Sequence, residues 1–161
     1  MRHLALAALC ALAAQPALSL SCLRPDPASD FLAADASDDI WVIVEGRLAF
    51  DQARLPKRDL VDNDARDVEI PAEFRGKSLS KGGFDRDFVT PITLRLTCAG
   101  PWCGGAANGK VIAFLKREAD RYVMIADPCG TRVYPDPSMA VRKTLTQCIR
   151  GETCTPAKPR R

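Results

Sequence analysis

The side chains able to do chemistry in this chain are seven cysteines, one histidine and twenty carboxylates. Cys98 and Cys103 stand five positions apart in Thr97-Cys98-Ala99-Gly100-Pro101-Trp102-Cys103-Gly104-Gly105, around a Gly-Pro turn. A redox or metal pair would use a C-x-x-C spacing or a histidine partner. This spacing is neither, so it predicts a disulfide closing a strand–turn–strand corner, with glycine and proline supplying the turn angles. Cys148 and Cys154 pair by the same argument of proximity. Asp62, Asp64 and Asp67 share one stretch and could ligate calcium. They lack the glycine and terminal glutamate of an EF-hand loop, so a solvated acidic loop is the expectation. Trp102 sits at the turn tip, either as a stacking platform for a ligand or as a ring packed over the neighbouring disulfide. Arg75, Lys77, Lys81 and Arg86 alternate with Glu73, Asp85 and Asp87, which predicts a mixed solvated face.

The N-terminus limits this chemistry further. Arg2 precedes an uninterrupted apolar run, Leu4–Ala14, which Gln15-Pro16 ends, and small residues follow at Ala17, Ser19 and Ser21. This is the three-part pattern of a secretory signal peptide over residues 1–21. A membrane span would need about 20 apolar residues. Cleavage fits the small-residue rule after Ser19 or after Ser21, and the second would make Cys22 the mature N-terminus. Ser19 stands where a lipoprotein signal wants an aliphatic residue, which speaks against lipid attachment at Cys22. Removing residues 1–21 takes away Arg2, His3 and Cys10. That leaves 22 bases against 20 acids and an even six cysteines. Near-neutral charge gives no reason to expect nucleic acid or a membrane surface as partner. An even cysteine count in an exported chain predicts a disulfide framework in the periplasm or the extracellular space. Without histidine, Ser-His-Asp and Cys-His catalysis and histidine-ligated zinc are excluded, and nothing calls for a cofactor.

The elements that must position these residues are short. Asp26 as N-cap and Pro27 at the first helical position predict a helix over Pro25–Asp35. Ile40–Phe50 is a strand, with a bend or bulge at Glu45-Gly46-Arg47. Val68–Phe74 alternates with period two, and Pro71 inside it predicts an edge position or a bulge. Lys77–Gly83 closes that element. Phe88–Cys98, Lys110–Lys116 and Arg121–Ala126 are three further strands, the first with Ile92, Leu94 and Leu96 on one face. Pro135–Ser138 stops the sheet and caps a helix whose apolar stripe is Val141, Leu145, Cys148 and Ile149. Residues 155–161 form a basic, proline-containing tail without expected order. Five short strands in one small domain predict an all-β, five-stranded OB-like barrel over residues 22–154, because closure removes edges.

The order of these features resembles the netrin-like domain, the OB-type barrel of tissue inhibitors of metalloproteinases and of the C-terminal modules of netrins and complement proteins. The features are the early Cys22, a first strand ending Val44-Glu45-Gly46-Arg47-Leu48, and Cys103-Gly104. The paired strands Val111–Leu115 and Tyr122–Ala126 then lead to Cys129, and a helix carries Cys148 before Cys154. With the two short pairs assigned, Cys22 and Cys129 remain, and the resemblance implies a first cysteine anchored to the barrel. It also implies a way of acting: the α-amine and carbonyl of Cys22 on the zinc of a protease, Leu23 in its specificity pocket, and Pro101-Trp102-Cys103 alongside. The inhibitors carry a second cysteine where this chain has Arg24.

These readings lead to an exported, non-enzymatic binding module of netrin-like type with a protein partner. One alternative is an inhibitor of extracytoplasmic metalloproteases acting through Cys22, and another is an envelope-associated scaffolding protein. An enzyme is the least expected class, since the mature chain has no histidine, no activated nucleophile and no metal triad.

Overall fold

The structure, a computed structural model, describes residues 20–56 and 66–158. Helix α1 (Pro27–Asp35) starts where the sequence dictates. The Asp26 carboxylate accepts from the Ser29 N–H at 2.8 Å, and Pro27 occupies a position that needs no donor. Then follow β1 (Trp41–Phe50), β2 (Val68–Ser80), β3 (Gly83–Leu96), β4 (Cys98–Ala99), β5 (Trp102–Cys103), β6 (Gly109–Glu118), β7 (Arg121–Ala126), β8 (Val133–Pro135) and helix α2 (Met139–Ile149). Residues 1–19 of the expected leader, Asp62, Asp64 and the last three residues of the tail lie outside the described residues. Thr155–Lys158 form neither helix nor strand, and the Ala157 N–H donates to Asp26.

The sheet closes on itself. β1 pairs antiparallel with β2, β2 with β3, β7 with β6, and β6 back with β1. The remaining joint, β3 to β7, is parallel and only four residues long, from Thr93↔Val123 to Leu96↔Ala126. β8 adds to β6 outside this ring. The result is a mostly β chain with a ring-closed sheet, two helices and three disulfides.

Alternation fills the ring. Leu48, Ile70, Phe74, Leu94, Leu115 and Met124 lead an inner core. A second core lies outside it, where Ala34 of α1 and Leu145 of α2 cover Ile43, Ile112, Phe114 and Tyr134. β6 therefore faces apolar surroundings on both sides, which is why Val111–Leu115 are five consecutive buried residues without alternation. In α2, Leu145 and Cys148 are buried, while Met139, off the stripe, is exposed.

Three details differ from the sequence reading, while Pro71 takes the edge position expected of it. Residues 77–83 do not end the second element: β2 runs to Ser80, turns at Lys81-Gly82, and returns as β3 from Gly83, five residues before the expected start. Polar residues dominate there, and only Leu79 and Phe84 reach the second core, too few for a hydrophobic period to show. Glu45-Gly46-Arg47 is paired without a break, and the register shift lies instead at Ser78/Leu79. Pro71 pairs with Thr93, but β1 ends opposite Ala72, so the proline sits just past the last β1 partner. β8 was not legible, being three residues between prolines and a glycine-containing turn.

The parallel seam carries an ion network on its outer face. Arg95 donates to both Glu118 oxygens at 2.8 Å and to Glu69 at 2.6 Å, and Arg121 donates to Glu69 at 2.9 Å. The Arg95 hydrogen bonds hold the Glu118 carboxyl at about 2, against an ordinary 4.5. Glu69 is lowered too, first by Arg121 and then by Arg95. A carboxyl with a depressed folded-state pKa adds stability that is complete above its unfolded value and vanishes as pH falls through the folded one. The unfolding free energy should therefore fall between pH 4.5 and about 2. Glu118→Gln should lower it at pH 7 and flatten that acid limb, as urea denaturation at stepped pH would measure.

Candidate functional site

Because β3 and β7 are parallel, both leave the ring at the same end, β3 into the corner and β7 into the turn that carries Cys129. The corner is the small ladder of β4 and β5, with Cys98 opposite Cys103 and Ala99 opposite Trp102. Gly100 takes the left-handed φ of +58° that the turn requires. The corner is pressed onto the exit of β7: the Thr97 N–H donates to Ala126 O at 3.1 Å, and the Gly104 N–H donates to Thr97 O at 2.8 Å. Only glycine fits at 104, since a Cβ there would lie 1.8 Å from Ala126 O. Asp67, the one described member of the acidic trio, accepts from the Cys98 N–H at 2.9 Å, so its carboxylate is engaged in holding the corner.

The turn after β7 is fixed from three sides. Asp127 accepts from the Cys129 N–H at 2.7 Å and from the Thr131 hydroxyl. Asp30 of α1 accepts from the Arg132 N–H at 2.8 Å and from the Tyr134 hydroxyl. Burial, and then that bond to Asp30, push the Tyr134 phenol far above its usual range. The Arg132 guanidinium lies 4.5 Å over the Trp41 ring, whose Nε1–H donates to Ser37. The third hold is covalent, the disulfide Cys22–Cys129.

The four residues singled out for partner contact thus hang from one support. Cys22 is bonded to Cys129, and Leu23 beside it is 84% exposed. Pro101 and Trp102 rise from the corner seated on Ala126, with Trp102 43% exposed. The third disulfide, Cys148–Cys154, ties the end of α2 to the segment after it and carries no site residue. Three disulfides mark a chain that matures in an oxidising, non-cytoplasmic compartment.

On the mixed face, Lys77 pairs with Asp87 at 2.8 Å and Arg75 with Glu73 at 3.2 Å, all on the β2–β3 hairpin. Among the described residues no group of three His, Cys, Asp or Glu is placed to hold a metal, and no helix is long and apolar enough to cross a membrane. The sequence reading missed the Arg95 network and the roles of Asp30 and Asp127. Cross-strand and loop partners of this kind are set by register, which period alone does not give. In the comparisons with known proteins, no family model, no curated protein and no solved structure matches the chain.

Proposed function

We propose that the protein is a non-enzymatic binding module of netrin-like type, periplasmic or secreted, that holds a protein partner at the end marked by Leu23 and Trp102. The observation that carries this is the pair of exposed apolar side chains on covalently braced backbone. Rigid apolar anchors make efficient contact points, because little conformational freedom is lost when they are covered. The strand order, with its one parallel joint and its return to β1, supports reading the ring as a five-stranded OB-like barrel, whose loops are a common place for recognition. Photo-crosslinking from position 23 or 102 in the native extracytoplasmic fraction should capture one partner. Leu23→Ala and Trp102→Ala should each weaken its binding by roughly tenfold or more. Unchanged binding by both variants would place the interface elsewhere.

A second reading, inhibition of a metalloprotease through Cys22, rests on the resemblance; the bond from Cys22 runs to Cys129 and holds the first cysteine at the turn after β7, whereas a bond to Cys103 would have strengthened this reading. Chelation needs cleavage after Ser21 and an unmodified α-amine, which titrates at ~7.7–8.0 and so keeps a usable unprotonated fraction at neutral pH. Cleavage after Ser19 would turn that nitrogen into an amide. Mass spectrometry of the mature chain decides the terminus, and Leu20 as first residue, or an acylated Cys22, removes the mechanism. With Cys22 first, one added N-terminal residue should abolish inhibition; inhibition that survives the addition rules chelation out.

A further inference from the structure

The register of β1 puts like charges side by side. Arg47 stands opposite Arg75 of β2 on one side and opposite Lys110 of β6 on the other. Three cations therefore cross three neighbouring strands in one row, about 4.8 Å from strand to strand. Arg75 is answered by Glu73. Among the described residues, neither Arg47 nor Lys110 has an ion-pair partner. Like charges directly opposed across an antiparallel pair are destabilising, so the free protein gains nothing from this arrangement. A cavity of about 510 Å³ opens over the two, bordered by Gly46, Val111, Pro137 and Arg142. Its lining also holds Glu45 and Asp136, and Glu45 is already engaged by Arg142. Two cations then face the single remaining carboxylate of Asp136.

We propose that this cavity binds an oxyanion ester, a sulfate or phosphate monoester, clamped between Arg47 and Lys110. The planar guanidinium offers two parallel N–H donors to two oxygens of the anion, and the lysine ammonium adds a compact charge from the neighbouring strand. The bound anion turns the opposed like charges from a repulsion into a shared attraction. The site uses none of the residues of the Leu23–Trp102 end, so its failure would leave the reading of that end untouched.

Titrating methyl phosphate and methyl sulfate into isotope-labelled protein at constant ionic strength, with sodium chloride as the reference, tests the idea. Amide signals of Gly46, Arg47, Lys110 and Val111 should shift saturably. The paired variant Arg47→Gln/Lys110→Gln should keep the rest of the spectrum and bind at least tenfold more weakly. Saturation by one ester alone names the source of the group, and saturation by both means that the site reads the shared charge and geometry. As a second readout, either effective ester should raise the thermal midpoint of the wild type and not of the variant. Shifts that grow linearly without saturating, shifts spread over all basic residues, or equal binding by the variant would each overturn the proposal.

Discussion

Replacing Cys22 and Cys129 together by serine is expected to lower the unfolding free energy by roughly 5 kcal/mol, against roughly 2 for Cys98 and Cys103 replaced together. The first bond joins residues 107 positions apart and the second residues 5 apart. In the chain-entropy account, the longer loop removes far more freedom from the unfolded chain. For a domain of this size the midpoints should drop by roughly 15 and 6 °C, which calorimetry would read. The two losses should also differ in place. Without Cys22–Cys129, the turn after β7 keeps its bonds to Asp127 and Asp30, so its amides should stay protected from exchange while residues 20–24 become free. Equal losses for the two pairs would show that loop length is not what these bonds act through.

What could be read in advance depended on whether a residue's role was local. The Asp26 cap and the Ser138 cap, which accepts from the Val141 N–H, are sequence-local, and both helices begin where those residues place them. The buried sets Ile70–Ala72–Phe74 and Ile92–Leu94–Leu96 follow from period two, since a half-buried strand must send alternate side chains inward. The long arm of β2 and β3 did not show, because Lys77, Ser78, Ser80, Asp85 and Asp87 are polar and only Leu79 and Phe84 between them pack on the second core. The candidate site shows the same split. The corner and its exposed Trp102 come from a nine-residue stretch. Its seat on Ala126 comes from the parallel joint between β3 and β7, and the sequence between those strands holds nothing that states their register. The opposition of Arg47 to Lys110 is hidden for the same reason, since the two lie 63 positions apart and meet only through the pairing of β1 with β6.

Gly76→Ala is expected to cost about 3 kcal/mol or more, an unusually large loss for adding one methyl group. Gly76 is paired with Gly46 where β2 crosses β1. A Cβ at Gly76 would lie 2.1 Å from Glu45 O and 2.6 Å from the Gly46 Cα, and a Cβ at Gly46 would lie 2.3 Å from Arg75 O. Every one of these neighbours is backbone, so no side chain can swing aside and the two strands must part. Neither glycine needs a left-handed φ, so the cost is one of contact rather than of dihedral strain. The inner face at this point is filled instead by Phe88, opposite Gly76, whose ring sits edge-on to Phe74 at 6.0 Å and to Tyr122 at 5.2 Å. Parting the strands would disturb that cluster as well. Gly82→Ala is the control: its new Cβ would meet the end of the Asp85 side chain, which can rotate away, so the loss should stay below about 1 kcal/mol. Gly46→Ala/Gly76→Ala should cost less than the two single losses combined, because strands already forced apart by the first methyl make room for the second. Chemical denaturation of the four variants measures all of this. A Gly76→Ala protein as stable as the Gly82→Ala control would mean that β1 and β2 do not approach each other as closely as their paired glycines imply.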